Sequence, residues 1–206
     1  MPNDQIAFAL ARIGTLLKSQ AWDQAEPLGI NPTQGQILAR VAARGASSPR
    51  DLTADLGVTQ PTVSDAVAAL VRKGMLARRR DPDDGRAVRL HLTEQGGRVA
   101  KALGGTPPVL ATALATLPSG DLAAMQRALV AVIRALQEAR AIPVQRMCVT
   151  CAHFRPHAHD AAEAPHHCAF VDAAFGDAAL RIDCGDHQDA PEEDRARIWA
   201  RFQSAA

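Results

Sequence analysis

The chain contains no tyrosine, and aromatic residues make up only 3% of its 206 positions. So little aromatic surface gives no ground for nominating a ligand pocket walled by rings. No uninterrupted apolar run reaches the roughly 18 residues that a spanning helix needs, so a membrane protein of that kind is excluded. The opening Met1-Pro2-Asn3-Asp4 lacks the basic and apolar segments of a secretory signal, so a cytoplasmic location is expected. There is no cysteine before Cys148. All four, Cys148, Cys151, Cys168 and Cys184, fall in the last third. Because cytoplasmic thiols are kept reduced, such a cluster is expected to hold a metal rather than to form disulfides. Nucleophile, base and orienting residue do not occur in a credible frame, and no His-Glu-x-x-His helix is present, so an enzyme is not expected.

What is present divides in two. Residues 1–146 carry 18 basic and 12 acidic groups and the remainder 5 and 10, so the parts bear about +6 and −5. The basic part suits a polyanionic partner, and the acidic part should point away from phosphates. Ile6, Leu10, Ile13 and Leu17 recur at helical spacing, predicting a helix that ends before Pro27. A second helix is expected from Pro32 to Arg44, with Asn31 or Thr33 as its cap and Gly45 as its stop. Ser48-Pro49 should open a third helix ending at Gly57, and Thr59 a fourth that buries Val63, Val67, Leu70 and Val71 before Gly74.

Leu76–Arg80 and Ala87–Thr93 read as two strands around the turn Asp81-Pro82-Asp83-Asp84-Gly85. A helix should begin near Thr93, although Gly96-Gly97 and Gly104-Gly105-Thr106-Pro107-Pro108 interrupt its pattern. Another should open at Ser119 or Gly120 and bury Leu122, Met125, Leu129, Val132, Ile133 and Leu136. Pro143 marks the expected boundary between residues 1–142 and a Cys/His-rich tail, 143–206. The tail holds too little apolar material for an independent core and must be stapled, docked or disordered. At its end, Asp189-Ala190-Pro191-Glu192 predicts a capping box and a short helix carrying Ile198, Trp199 and Phe202 on one face.

Two helices joined by a tight turn and followed by a basic hairpin form a DNA-reading unit over about residues 46–93. The second helix of such a unit enters the major groove and offers short polar side chains to base edges. Gln60, Thr62, Ser64 and Asp65 are the candidates here; Gln60 can address adenine, and Asp65 can only accept. Arg78, Arg79 and Arg80 lead into the turn and Arg86 follows it; guanidinium groups at such a tip can enter a narrow minor groove. Arg78, Arg80 and Arg86 are the contacts assigned to this hairpin.

Asp51-Leu52-Thr53-Ala54-Asp55-Leu56-Gly57-Val58, Thr62-Val63-Ser64, Leu70-Val71-Arg72-Lys73-Gly74-Met75-Leu76 and the run from Arg79 to Thr93 together resemble the winged helix-turn-helix of MarR-type transcriptional regulators. The resemblance covers roughly residues 5–140. It implies a mainly α fold with a small β-hairpin wing and a helical dimerisation region, to which the tail adds a small irregular, metal-stapled segment. It further implies a homodimer on a pseudo-palindromic double-stranded operator, acting usually as a repressor and released by a small-molecule or redox effector. Two positions depart from the family: Asp65 stands where arginine is frequent, and Gly85-Arg86 replaces a common arginine pair, leaving Arg86 to make the wing contact alone. The family's cleft for phenolic ligands finds no counterpart in so aromatic-poor a chain.

In the tail, Cys148-Val149-Thr150-Cys151 forms a knuckle, Cys168 follows after 16 residues and Cys184 after 15 more. Four thiolates suit a tetrahedral zinc site or an iron–sulfur cluster, and the spacing does not choose between them. Six of the seven histidines lie there too, of which His167 and His187 are the candidates for substitute ligands or partners of the thiolates. A closed zinc would be inert, whereas an exposed cluster could be oxidised and so sense redox state or metal supply. Two other readings stand beside a sensing regulator. One is a regulator of phenolic or drug response with a purely structural zinc tail, the other a scaffold that recruits a partner through the tail.

Overall fold

The computed structural model describes residues 2–81 and 87–204. The chain divides into two compact units, residues 1–111 and 112–206. The division falls within a helix that the sequence did not predict, Pro108–Ala115, rather than at Pro143. In order, the helices are α1 (Pro2–Ala25), α2 (Pro32–Arg44), α3 (Pro49–Leu56), α4 (Gln60–Arg72), α5 (Glu94–Ala102), α6 (Pro108–Ala115), α7 (Ser119–Glu138) and α8 (Glu192–Gln203). The strands are β1 (Leu76–Arg80) and β2 (Val88–Leu92) in the first unit, and β3 (Phe154–Arg155), β4 (His166–Cys168) and β5 (Ala173–Phe175) in the second. Among the described residues, no helix is long and apolar enough to cross a membrane.

Local chemistry sets the helix ends of the first unit. Asn31 and Gln34 form a reciprocal capping box on α2, and Ser48 and Asp51 form another on α3, each satisfying two otherwise free backbone donors. Gly57 adopts φ +64°, the left-handed conformation that closes α3 and turns the chain into Thr59, the cap of α4. Ile37, Leu38, Leu52, Val63, Leu70 and Leu90 are fully buried where α2, α3, α4 and β2 meet. Ion pairs from Asp55 to Arg44 and Arg40 hold α3 to α2. Lys73 fastens the end of α4 to the start of α2, donating to the Gly29 carbonyl at 2.6 Å and to Gln34 Oε1 at 2.9 Å.

The wing is an antiparallel pair in which Leu76 faces Leu92 and Arg80 faces Val88. Ser47 adds a third rung, exchanging backbone hydrogen bonds with Leu90 at 3.2 and 2.8 Å, so the hairpin is tied to the residue just before the α3 cap. Of the glycines that cast doubt on α5, Gly96 is required by packing. A Cβ at Gly96 would stand 1.9 Å from the Met75 carbonyl oxygen, and Thr93 caps the helix by accepting from the Gly96 N–H at 3.0 Å.

The second unit corrects the expectation of an irregular tail. It contains a three-stranded antiparallel sheet in the order β3-β4-β5 and a core of its own. Met147, Val149, Phe154, Leu180, Ala190, Ile198 and Phe202 are buried there together with Val130 of α7, against which the sparse apolar residues of the tail are completed. The face of α7 that turns to this core is only in part the one expected, since Ile133 packs on it as foreseen. Met125, Val132 and Leu136 are exposed, while Val130 and Gln137 are buried. The expected capping box on α8 is also absent. Its cap is Pro191, without a side-chain bond, because the helix begins at Glu192 and Asp189 stands two residues before the cap position.

Gly96→Ala is expected to lower the stability of the first unit by about 1–3 kcal/mol, the cost of forcing a methyl against fixed backbone. Gly97→Ala, which meets nothing within 4 Å, should be neutral or stabilising by up to about 1 kcal/mol. Denaturant unfolding of the two variants checks the pair, and equal midpoints would refute the close approach.

Candidate nucleic-acid interface and thiol chamber

Helix α4 is divided cleanly along its length. Val63, Ala66, Val67 and Leu70 are buried, and Gln60, Thr62, Ser64 and Asp65 are exposed, so all four side chains predicted to face bases lie on the open side. Thr59 and Thr62 share a hydroxyl hydrogen bond of 2.8 Å, which orients one candidate contact from the helix cap. At the amino end of α4, Pro61 has no N–H and Thr59 accepts from the Thr62 N–H, so what this end offers phosphate is chiefly the positive end of the helix dipole.

On the wing, Arg78, Arg79 and Arg80 are exposed. Arg78 and Arg80 share one face of β1; Arg79 lies on the other, directly opposite Arg89. That like-charged pair is relieved by carboxylates: Arg89 Nε donates to Asp81 Oδ2 at 2.6 Å, and its Nη1 lies 3.8 Å from Asp51. Asp81 is buried, and its N–H donates to the Ala87 carbonyl at 3.0 Å, closing the base of the wing. Arg86 and the turn Pro82-Asp83-Asp84-Gly85 lie outside the described residues.

In the second unit the four cysteines, all free thiols, line one cavity of about 160 Å³. Three chain segments deliver them. Cys148 and Cys151 come from a 3-10 turn, Cys168 from the end of β4 beside Phe154 and Ala173, and Cys184 from the loop that follows Leu180. Backbone bonds fix these segments: the Cys148 N–H donates to the Arg181 carbonyl at 3.1 Å, and the Cys184 N–H to the Arg146 carbonyl at 3.0 Å. Burial pushes the Cys148 thiol up to about 11; the Arg181 N–H, 3.3 Å from its sulfur, lowers it, while the other three thiols raise it. Among the described residues, no group of three or more His, Cys, Asp or Glu is arranged to hold a metal ion as it stands.

The two histidines singled out from the sequence do not line the cavity. His167 lies between Asp172, at 3.3 Å, and His159, at 3.3 Å, and His187 meets the Thr150 hydroxyl at 3.1 Å. Burial lowers the pKa of His187. His153 and Arg181 line the cavity instead. Only proximity to Cys151 and Cys184 in the chain could have pointed to them.

His166 was not singled out, yet it is fully buried, bonded through Nε2 to Asp177 at 2.8 Å and ringed by Phe154, Phe175 and Phe202. Desolvation lowers its pKa, so it is a neutral structural element of the core.

Polar contacts couple α7 to the ring of segments around the thiols. Gln126 donates to the Leu180 carbonyl at 2.6 Å, one residue before Arg181, and Arg127 pairs with Asp177 at 3.4 Å. The Arg127 guanidinium also covers the Phe202 ring at 4.2 Å and donates to the Phe202 carbonyl. Arg134 covers Trp199 in the same way, at 4.3 Å.

Residues 28–87 match the model of the MarR family. The uncharacterized HTH-type transcriptional regulator YkoM of Bacillus subtilis (strain 168) is 30% identical over 92 residues, which are 39% of this chain and 60% of the relative's length. Two solved structures have a similar fold. One is the MepR–DNA complex of S. aureus, with 24% identity, covering 64% of this chain and 97% of that one, at a TM-score of 0.54. The other is a mutant MarR from E. coli complexed with operator DNA, with 19% identity, 62% and 93% coverage and a TM-score of 0.53. The mainly helical architecture with a small antiparallel pair of strands is thus similar in fold to these two proteins.

Phe202→Ala should destabilise the second unit by about 3–5 kcal/mol, because the ring packs on Phe154, His166 and Arg127 at once. Hydrogen exchange is expected to report lost protection in β3, β4 and α8, with the first unit unchanged. Unchanged protection in β3, β4 and α8 would refute the packing role of the ring.

Proposed function

We propose that the chain is a sequence-specific DNA-binding transcriptional regulator, a homodimeric repressor that lays one α4 in the major groove of each operator half-site. The observation that carries this reading is the division of α4, whose exposed side presents Gln60, Thr62, Ser64 and Asp65 over a fully packed apolar side. The flanking wing supplies Arg78 and Arg80 for the phosphates and the adjacent minor groove, with Arg86 as the tip contact.

Support for a dimer comes from unpartnered apolar side chains. Ile6, Leu10 and Leu17 of α1 and Met125, Val132 and Leu136 of α7 are all exposed, a pattern that a second copy would cover. The regulatory part of the proposal is that the four tail thiols bind a metal centre whose loss is felt at α7. Gln126 and Arg127 join that helix to the segments that carry the thiols, so disorder there would disturb the helix on which the dimer stripe lies.

Gel shifts with the DNA upstream of the chain's own gene test the first claim. Thr62→Ala and Gln60→Ala should each weaken specific binding by about 5- to 150-fold while leaving non-specific binding nearly unchanged, the signature of a lost base contact. Replacing Arg78 and Arg80 together by Ala should weaken binding to every duplex and reduce the salt slope by roughly 2. Sequence preference that survives both α4 variants would sink the reading. Val132→Glu should yield a folded monomer in sedimentation, since the side chain is already half-exposed; an unchanged dimer would place the interface elsewhere.

A further inference from the structure

We infer that Cys148, Cys151, Cys168 and Cys184 together ligate an iron–sulfur cluster rather than a lone zinc ion. The inference rests on the proposed thiolate centre of the tail and specifies what that centre is.

Size is the first argument. Zinc draws its four sulfurs to about 2.3 Å from one point, which leaves no open space among them. Here the thiols stand around a chamber of about 160 Å³. Backbone hydrogen bonds from Cys148 to Arg181, from Cys184 to Arg146 and from Ala169 to His153 fasten the three segments to one another, and among the described residues no three of the thiols are grouped closely enough to share a single ion. The separation is therefore a property of the protein frame. A cluster places irons and bridging sulfides between its cysteines and needs such a chamber.

The lining is the second argument. Apart from the thiols, much of the wall is carbon: Phe154, Phe170, Val171, Ala173 and Phe175. Apolar walls limit the access of water to bridging sulfides, and exposure is one of the quantities that sets a cluster's potential. Phe170 and Val171 are themselves more than half exposed, so this side of the chamber borders solvent.

Charge is the third. The Arg181 backbone N–H donates to Cys148 Sγ at 3.3 Å, and its guanidinium lies 3.9 Å from Cys184 Sγ. Hydrogen bonds to sulfur and a nearby cation offset the negative charge of a four-thiolate cluster, and Asp186 is the acidic group on the wall.

Loading is a ligand exchange without net oxidation. A preassembled cluster passes from thiolates of a donor to those of the tail, four Fe–S bonds form and four break, and the four cysteine protons are released to solvent.

The test uses the full-length protein, purified without oxygen and also reconstituted with ferrous and ferric iron and sulfide. We expect brown protein with broad visible charge-transfer absorption and iron and acid-labile sulfide in equal amounts. Cys168→Ser should lose roughly tenfold or more of that absorption on removing one of the four ligands, with its far-ultraviolet circular dichroism as the control on folding. His153→Ala, which alters the wall and not the ligand set, should stay brown. Colourless protein with about one zinc per chain would overturn the cluster while leaving a thiolate centre standing. Absence of any stoichiometric metal would overturn the centre as well. Colour retained in Cys168→Ser would overturn ligation by all four cysteines. None of these results depends on DNA binding, so the regulator reading stands or falls separately.

Discussion

The second unit depends on one constraint: too few apolar side chains follow Pro143 to bury one another, so they close over α7. Val130, 1% exposed, and the partly buried Ile133 complete a core otherwise built from Met147, Val149, Phe154, Leu180, Ile198 and Phe202. Aromatic rings are scarce in the chain, and much of what there is gathers here, with arginines of α7 laid on Phe202 and Trp199. The hydrophobic contribution of these contacts scales with the area removed from water. The cation–π and hydrogen-bonded contacts of Arg127 and Arg134 fix which helix face is used. The helix is consequently two-sided, with one flank committed to the tail and another left apolar and open.

That two-sidedness links chemistry to assembly. The segment from Asp177 to Cys184 touches α7 through Leu180 and Asp177 and touches the thiols through Arg181, so a few residues separate the chamber from the helix. In the first unit the analogous economy is at Ser47, which bridges to β2 through its backbone while the next residue caps α3. Wing and helix-turn-helix are joined by adjacent residues, so the orientation of the hairpin relative to α4 is set by short covalent and hydrogen-bonded connections.

Much of the first unit was legible because its signals are local. Asn31 with Gln34, Ser48 with Asp51, Thr59, Gly57 and Gly74 mark helix ends through their own side chains or backbone angles, and the exposed face of α4 follows from the period of Val63, Val67 and Leu70. The tail was less legible for a physical reason: strands of two and three residues, such as Phe154–Arg155 and Ala173–Phe175, are too short to display an alternation. Its core also depends on a partner helix more than ten residues away in the chain. The stripe of α7 was misassigned because that helix is apolar on both sides, and periodicity selects the broader stripe, here the open one. Asp189 failed as a cap because the helix begins at Glu192, with Pro191 in the cap position. Placing the four cysteines around one chamber was foreseeable from their type and clustering; the roles of His153 and Arg181, set by tertiary placement, were not.

The closure of the tail over α7 bears on any attempt to study the reading head alone. Cutting the chain after the helix would bare Val130 and Ile133 beside an already open stripe, giving a rod that is greasy on two flanks. Such a fragment would be driven toward promiscuous clumping, so silence of the tail cannot be imitated by its amputation.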